Sequence, residues 1–201
     1  FLDLGNGFAF AATGGFTWCA WVRYDAQVGP NANLLSLYDG QAAGGANSIV
    51  LSIYKVHTHQ ASFNIRKEDR DKHFTTGCGA HGGNCAVAAD RFFQEIIGSW
   101  AHISATATPS GEMTLWRDGF TRDDGGWTKS DGRAPNPASI TYKDARIGTS
   151  SYYNTKGFSY QFAGAFRDVR FYARALPGAE LIMLAAVTPA VHRWALENDG
   201  I

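Results

Sequence analysis

The chain has 201 residues, a formal net charge of zero and 18% charged residues, fewer than the roughly 25% usual for soluble domains. Its 45% hydrophobic content excludes a disordered chain, and its balanced charge argues against nucleic-acid binding through bulk electrostatics. With 23 Gly but only 5 Glu and 6 Lys, the composition excludes a long helical protein and is typical of strands joined by tight turns.

Alternating side chains predict short strands in the first half of the chain. Residues 16–23 are largely apolar on both faces, so we expect this strand to be covered on both sides. Ile49, Leu51 and Ile53 alternate with Ser48, Ser52 and Tyr54, and residues 63–65 mark a further strand.

Strands also follow in the second half. Residues 100–107 and 113–117 alternate in the same way, and Pro109-Ser110-Gly111 joins them as a hairpin turn. Residues 162–172 carry the strongest late strand pattern. Long connections rich in Gly and Asp are expected at 24–33, 39–47, 67–90 and 120–139.

A single short helix is expected near the C-terminus. Pro177 suits a first helical position, and Leu181, Leu184 and Ala185 share one helical face. Many short strands with one helix predict an all-β fold, an antiparallel two-sheet β-sandwich of the jelly-roll type with about twelve to fourteen strands.

The sequence positions of the three cysteines indicate different roles for them. Cys78 and Cys85 bracket a glycine-rich loop that lets their sulfurs meet, so we expect a disulfide and an oxidising compartment. Two free loop thiols, or half of a metal site, are the alternatives. Cys19 lies among apolar residues and is expected to be a small buried side chain. No run of about 18 apolar residues is available to span a membrane.

Four blocks of sequence resemble, in order, the laminin G-like domains of the concanavalin A-like lectin/glucanase jelly-roll family. They resemble an early strand, a central hairpin with a Trp-x-His strand, a short strand before the last loop, and the closing strand with its helical turn. The blocks are residues 15–18 with 21–22, 100–103 with 111–119, 146–148, and 162–176 with 180–181. The resemblance implies one jelly-roll domain over residues 1–188.

The tail adds a second observation. Residues 191–196 resemble the strand with which domains of this family begin. Residues 189–201 are therefore either a C-terminal strand of this domain or the start of a following repeat. We favour the repeat and expect the chain to be a mature or excised part of a larger multidomain protein.

The resemblance implies calcium as a cofactor, because family members often hold this ion at the rim of the sandwich through oxygen ligands. The alternative is that the aspartates of the expected loops are present because they favour turns, and not because they bind a metal ion. Asp168 is expected instead to pair with Arg170 or Arg146, or to cap a turn. The candidate ligands are Asp39, Asp123 and Asp124, with Asp118 and Asp131.

Histidines offer a weaker metal hypothesis. His57 and His59 lie two apart on an expected strand and share a face, so with His73, His81 and the loop cysteines they are candidates for zinc. A polar hairpin end explains the same pattern.

Glycan recognition depends on exposed aromatic side chains, and several aromatics fall in expected loops. Anchoring of the loops against the sandwich is the alternative role. Four strand tryptophans, by contrast, are expected in the core: Trp18, Trp21, Trp100 and Trp116. The candidate glycan-binding aromatics are Tyr38, Trp127, Tyr152 and Tyr153, with Phe158.

The sequence thus predicts a non-enzymatic recognition or assembly module at an extracellular or cell-surface location. Its partners are neighbouring domains or subunits of an assembly, or glycans, with no nucleic acid and no membrane insertion. A calcium-dependent lectin is the alternative. A polysaccharide hydrolase ranks third, because the five glutamates are scattered and the Glu-x-Asp-x-x-Glu strand of glucanases is absent from the sequence.

Overall fold

Two main antiparallel sheets make up the fold, as the sequence predicts. The computed structural model describes residues 2–5, 8–9, 15–25, 31–39, 48–54, 59–66, 85–89, 91–121, 128–129, 141–149 and 161–187. Those residues contain strands β1 (Leu2–Gly5), β2 (Phe8–Ala9), β3 (Phe16–Tyr24), β4 (Asn31–Tyr38), β5 (Ser48–Tyr54), β6 (Gln60–Arg66), β7 (Cys85–Ala89), β8 (Trp100–Ala107), β9 (Met113–Arg117), β10 (Thr128–Lys129), β11 (Thr141–Tyr142), β12 (Asp144–Ile147) and β13 (Gly164–Tyr172), a 3₁₀ turn (Gln94–Ile96) and helix α1 (Gly178–Ala186).

Strands that are distant in sequence lie side by side. Six strands form one sheet in the order β1-β12-β4-β5-β6-β7, and five form the other in the order β10-β9-β8-β3-β13. Strands β2 and β11 form a separate antiparallel pair. In the described part of the chain no helix has the length and hydropathy that a membrane span needs.

The core lies between the two sheets and is built from alternate residues of each strand. From β3 it takes Phe16, Trp18 and Val22, and from β5 it takes Ile49 and Leu51, all fully buried. Burial of each such side chain stabilises the fold by roughly 1.5–3 kcal/mol. The prediction that Trp18 is a core residue is confirmed.

The predicted hairpin between β8 and β9 is also confirmed. The Thr108 amide donates to the Glu112 carbonyl at 2.8 Å, and the Gly111 amide donates to the Thr108 carbonyl at 3.0 Å. Gly111 has φ +90°, a conformation that glycine adopts without steric cost.

Helix α1 covers one end of the outer surface of the five-stranded sheet. The Thr17 hydroxyl donates to the Arg174 carbonyl at 2.8 Å and accepts from the Leu176 amide at 2.9 Å, which fixes the segment entering the helix. Leu181 is fully buried, as predicted, and Gly178 packs against the Trp116 ring. The helix begins one residue later than predicted, because Pro177 has an extended ψ of 156° and serves as its N-cap.

Strands β4 and β7 fall partly or wholly within spans that the sequence predicts as connections. In β4 a bulge between Asn33 and Leu35 interrupts the alternation, so that Leu34 and Leu35 are both buried. An interrupted period of two removes the pattern by which a strand is recognised.

We predict that Gly15→Ala destabilises the protein far more than Gly98→Ala. Both glycines have positive φ (+92° and +75°), which costs an alanine about 1–2 kcal/mol in either place. At Gly15 the new Cβ would also lie 2.2 Å from the Ala107 carbonyl oxygen, whereas nothing lies within 4 Å at Gly98. Urea denaturation should give a loss at least about 2 kcal/mol larger for Gly15→Ala. Equal losses would contradict this packing.

Candidate ligand-binding surfaces

The outer surface of the six-stranded sheet is lined by small polar side chains. On β5 and β6 they alternate with core residues, and the register aligns them across strands: Asn33 faces Ser52, and Ser52 faces Ser62. In the next row Val50 lies between Ser36 on β4 and Asn64 on β6. The polar face comprises Asn33, Ser36, Ser48, Ser52, Ser62 and Asn64.

Two groups of the polar face are buried without a hydrogen-bond partner. The Ser36 side chain is 1% exposed and that of Asn33 is 2% exposed, and neither Ser36 Oγ nor Asn33 Nδ2 makes a hydrogen bond to the described residues. On β6, by contrast, Asn64 Nδ2 donates to Ser62 Oγ at 2.8 Å. A buried group left unpaired costs about 1–3 kcal/mol. The unused hydrogen-bonding capacity of the face therefore lies on β4.

The polar face becomes more accessible towards β6. Val50, Ser62 and Asn64 are half-buried, unlike the β4 residues. At the opposite end, the Arg146 guanidinium pairs with the Asp144 carboxylate at 2.9 Å, and these two charges neutralise each other. The surface is suited to a polar, uncharged ligand that both donates and accepts hydrogen bonds.

Tyr38 and Asp39 are the predicted site residues that the structure places at this face. Tyr38 is the last residue of β4, paired with Asp144 and Ser48, and is only 7% exposed. The prediction that it lies in a loop as an exposed platform is wrong, because Tyr38 belongs to β4 and its side chain is buried. Asp39 follows the strand and is half-buried.

Most other predicted site residues lie outside the described residues. They are Trp127, Tyr152, Tyr153, Phe158, Asp123, Asp124, Asp131, Cys78, His57, His73 and His81. Cys85 begins β7, a statement about its backbone alone. The disulfide, the calcium site, the zinc site and the loop aromatics therefore stay predictions. Across the residues the structure describes, no three His, Cys, Asp or Glu side chains are grouped to hold a metal ion.

A second surface lies on the outer side of the five-stranded sheet, at the end that α1 leaves open. We call it the Trp–Arg patch and define it by Trp21, Arg23, Trp100 and Arg167. Arg23 pairs with Trp100 across β3 and β8, and Trp21 pairs with Arg167 across β3 and β13. The Arg167 guanidinium carbon lies 4.1 Å from the centre of the Trp100 ring, and that of Arg23 lies 5.8 Å away.

This placement corrects the prediction for three tryptophans. Trp21, Trp100 and Trp116 are half-buried on the outer side rather than in the core. Trp18 has the same strand parity as Phe16, whereas Trp21 has the opposite parity. The parity of each residue was available from the sequence, but which side of the sheet faces the second sheet was not.

Ion pairs hold the side chains beside the patch. Arg23 forms a two-point ion pair with Asp25 at 2.8 and 3.0 Å. Arg170 does the same with Asp168 at 2.8 and 2.6 Å, which confirms the predicted pairing and raises the pKa of Arg170. Asp168 has φ +50° at a bulge in β13, so the pair stabilises an unfavourable backbone conformation.

Beside the patch, on the same face of the sheet, lie two buried titratable groups. Cys19 is fully buried and free, as predicted, and burial raises the pKa of its thiol to about 12. His102 is 3% exposed, with its ring edge against Trp21 and its Nδ1 3.4 Å from Ser104 Oγ. Burial lowers the pKa of His102 more than the nearby Asp118 carboxylate raises it.

We predict that His102 destabilises the fold in mild acid. Because the pKa of this side chain is lower in the folded state, the unfolded state binds the proton more readily, and stability falls as the pH drops below about 6.5. Asp118, Asp168 and Arg170 are the charged groups that act on it. Urea denaturation between pH 8 and about pH 5 should show a smaller loss for His102→Gln than for the wild type. Identical pH profiles would contradict a buried neutral imidazole.

The comparisons with known proteins agree with this architecture. A laminin G family model of the concanavalin A-like lectin/glucanases superfamily matches residues 2–182. The chain therefore belongs to this superfamily, as its sequence resemblance predicts. Among curated protein sequences, none matches the chain.

Solved structures share the fold at low sequence identity. The CBM40 domain of the Ruminococcus gnavus IT-sialidase has a TM-score of 0.62 at 14% identity, over 92% of this chain and 95% of that one. The heptameric SAP-like pentraxin from Limulus polyphemus has 0.58 at 12%, over 92% and 74%. The receptor binding domain of a botulinum neurotoxin C/D mosaic serotype has 0.55 at 9%, over 87% and 36%.

Proposed function

We propose that this chain is a non-catalytic carbohydrate-binding module and that the polar face is its glycan-binding surface. The observation that carries the proposal is the pair of buried, unpaired groups on β4, Ser36 Oγ and Asn33 Nδ2. Buried polar groups without partners are rare in native proteins, and an absent ligand or bridging water is one explanation for them. Superfamily membership supports a binding role of this kind.

The chemistry of the face suits a sugar. Sugar hydroxyls donate and accept hydrogen bonds, as the Ser36 hydroxyl and the Asn33 amide do. The face is accessible at Ser62 and Asn64, which are half-buried, and the half-buried Val50 offers an apolar contact for the C–H face of a ring. The CBM40 domain of the Ruminococcus gnavus IT-sialidase has been solved with α2,3-sialyllactose and with α2,6-sialyllactose, which favours glycans over other polar ligands.

Two of the three described glutamates support binding rather than hydrolysis. Glu95 pairs with Arg117, and Glu180 pairs with Arg174. That second pair lowers the pKa of Glu180, whereas the general acid of a glycosidase requires a raised pKa. Neither side chain is suited to protonate a glycosidic oxygen.

We also propose an extracellular or cell-surface location and a calcium requirement. The sequence supports both, through the Cys78–Cys85 spacing and through Asp39, Asp123 and Asp124. Every glycan titration is therefore to be run with calcium and again with a chelator. Affinity that is equal in the two conditions would argue against a calcium-dependent lectin.

Packing against a second subunit or neighbouring domain is the second candidate function. Phe120 and Met183 are 61% and 70% exposed, and Phe120 follows Gly119, whose backbone packs against Ile182 of α1. This apolar surface favours association.

We predict concentration-dependent self-association of the wild type in sedimentation equilibrium, reduced by Met183→Gln. A wild type that stays monomeric at high concentration would contradict this function.

We predict that Ser36→Ala weakens glycan binding without destabilising the protein. The hydroxyl has no hydrogen-bond partner among the described residues, so its removal should leave the free energy of unfolding unchanged or raise it by about 1 kcal/mol. Loss of one hydrogen bond to the sugar should lower affinity about fivefold to tenfold. A glycan array followed by isothermal titration with the best binder measures the affinity, and urea denaturation measures the stability.

Ser104→Ala is the matched control. This serine is fully buried on the other sheet, where its hydroxyl contacts His102 Nδ1. The substitution should lower stability and leave glycan affinity unchanged. If Ser36→Ala and the wild type bind the same glycan equally, or if the array shows no binder, the polar face is not a glycan site.

A further inference from the structure

Arg167 differs from most arginines of this protein in its partners. Five other arginines of the described part each form an ion pair with an aspartate or glutamate: Arg23, Arg117, Arg146, Arg170 and Arg174. Arg167 is exposed and has no carboxylate partner among the described residues; its contact is the face of Trp100. Its guanidinium N–H donors are therefore available to an anion from outside the chain.

The surroundings hold this guanidinium in place before any ligand arrives. Arg167 lies 4.1 Å above the Trp100 ring, and Arg23 contacts the same ring while its own charge is engaged by Asp25. Both arginines project from paired strands rather than from loops. A side chain already ordered by stacking loses less entropy on binding, and a planar guanidinium matches the two oxygens of a carboxylate.

The charge balance of the Trp–Arg patch indicates a ligand with a single anionic group. Asp25 offsets Arg23, and Asp168 offsets the neighbouring Arg170, which leaves the charge of Arg167 uncompensated. A second copy of the same surface would bring two such charges together and is disfavoured. A polyanion is disfavoured as well, because the described residues of the patch supply a single uncompensated cation and the net-neutral chain provides little field for a polyanion.

We propose that the Trp–Arg patch is a second glycan site, which takes the carboxylate of an acidic sugar on Arg167. The half-buried ring of Trp21, which pairs with Arg167 across the strands, supplies an apolar surface beside that carboxylate. The site rests on the glycan-binding role proposed above, but it lies on the opposite sheet from the polar face. The two sites therefore respond to different substitutions.

The test compares three probes by isothermal titration: α2,3-sialyllactose, its methyl ester, and lactose. The wild type should bind sialyllactose more tightly than the other two, which lack the carboxylate. Arg167→Gln should weaken sialyllactose binding about tenfold or more and leave the other two probes unchanged, since a charge-assisted two-point contact is lost. Arg167→Lys should give an intermediate affinity, because lysine keeps the positive charge but lacks the planar pair of N–H donors of a guanidinium.

Arg91→Gln is the matched control. Arg91 is also exposed, but it belongs to the turn before the 3₁₀ segment and not to the strands of the patch. The Arg91→Gln substitution also removes one positive charge and should leave the affinities for all three probes unchanged. Urea denaturation of Arg167→Gln should match that of the wild type, since a surface stacking contact contributes only about 0.5–1 kcal/mol.

The possible outcomes separate this proposal from the polar face. If Ser36→Ala is without effect while Arg167→Gln abolishes the preference for sialyllactose, the patch is a glycan site and the polar face is not. If sialyllactose and its methyl ester bind the wild type equally, or not at all, the proposal of an acidic-sugar site is wrong. It is also wrong if Arg91→Gln weakens binding as much as Arg167→Gln does.

Discussion

Strand β3 is the constraint on which the rest of the structure depends. It pairs with β8 on one side and β13 on the other, and both of its faces are used. Its even-numbered residues, such as Phe16 and Trp18, fill the core. On the other face, Thr17 holds the segment that leads into α1, and Arg23 contacts Trp100. Core packing, helix placement and the Trp–Arg patch therefore share the register of one strand.

The outer surfaces of the two sheets differ in the groups that they offer a ligand. On the five-stranded sheet His102 contacts Ser104 and Asp168 holds Arg170, although Trp21 Nε1 is buried without a partner among the described residues. On the six-stranded sheet Ser36 and Asn33 are buried and unpaired, a state that costs free energy in the absence of a ligand. The single uncompensated cation on one surface and the unused hydrogen bonds on the other suit different parts of a glycan.

Much of the fold was predictable, because alternation survives in most strands. The segments at 16–23, 100–107 and 113–117 are strands at nearly the predicted limits, and the hairpin at Pro109 to Gly111 forms as expected. The candidate sites were less predictable. The serines of β5 and β6 alternate visibly in the sequence, yet their side chains form a surface only when β4 and its bulge bring Asn33 and Ser36 beside them.

By itself the sequence determined the superfamily, the sandwich class and the alternation of most strands, because these depend on local periodicity and short motifs. Tertiary structure decided which face of each strand is covered. Trp18 and Trp21 are three residues apart and similar in sequence context, yet one is in the core and the other is half-exposed beside Arg167. A period of two assigns residues to two faces, but only the position of the second sheet decides which face is buried.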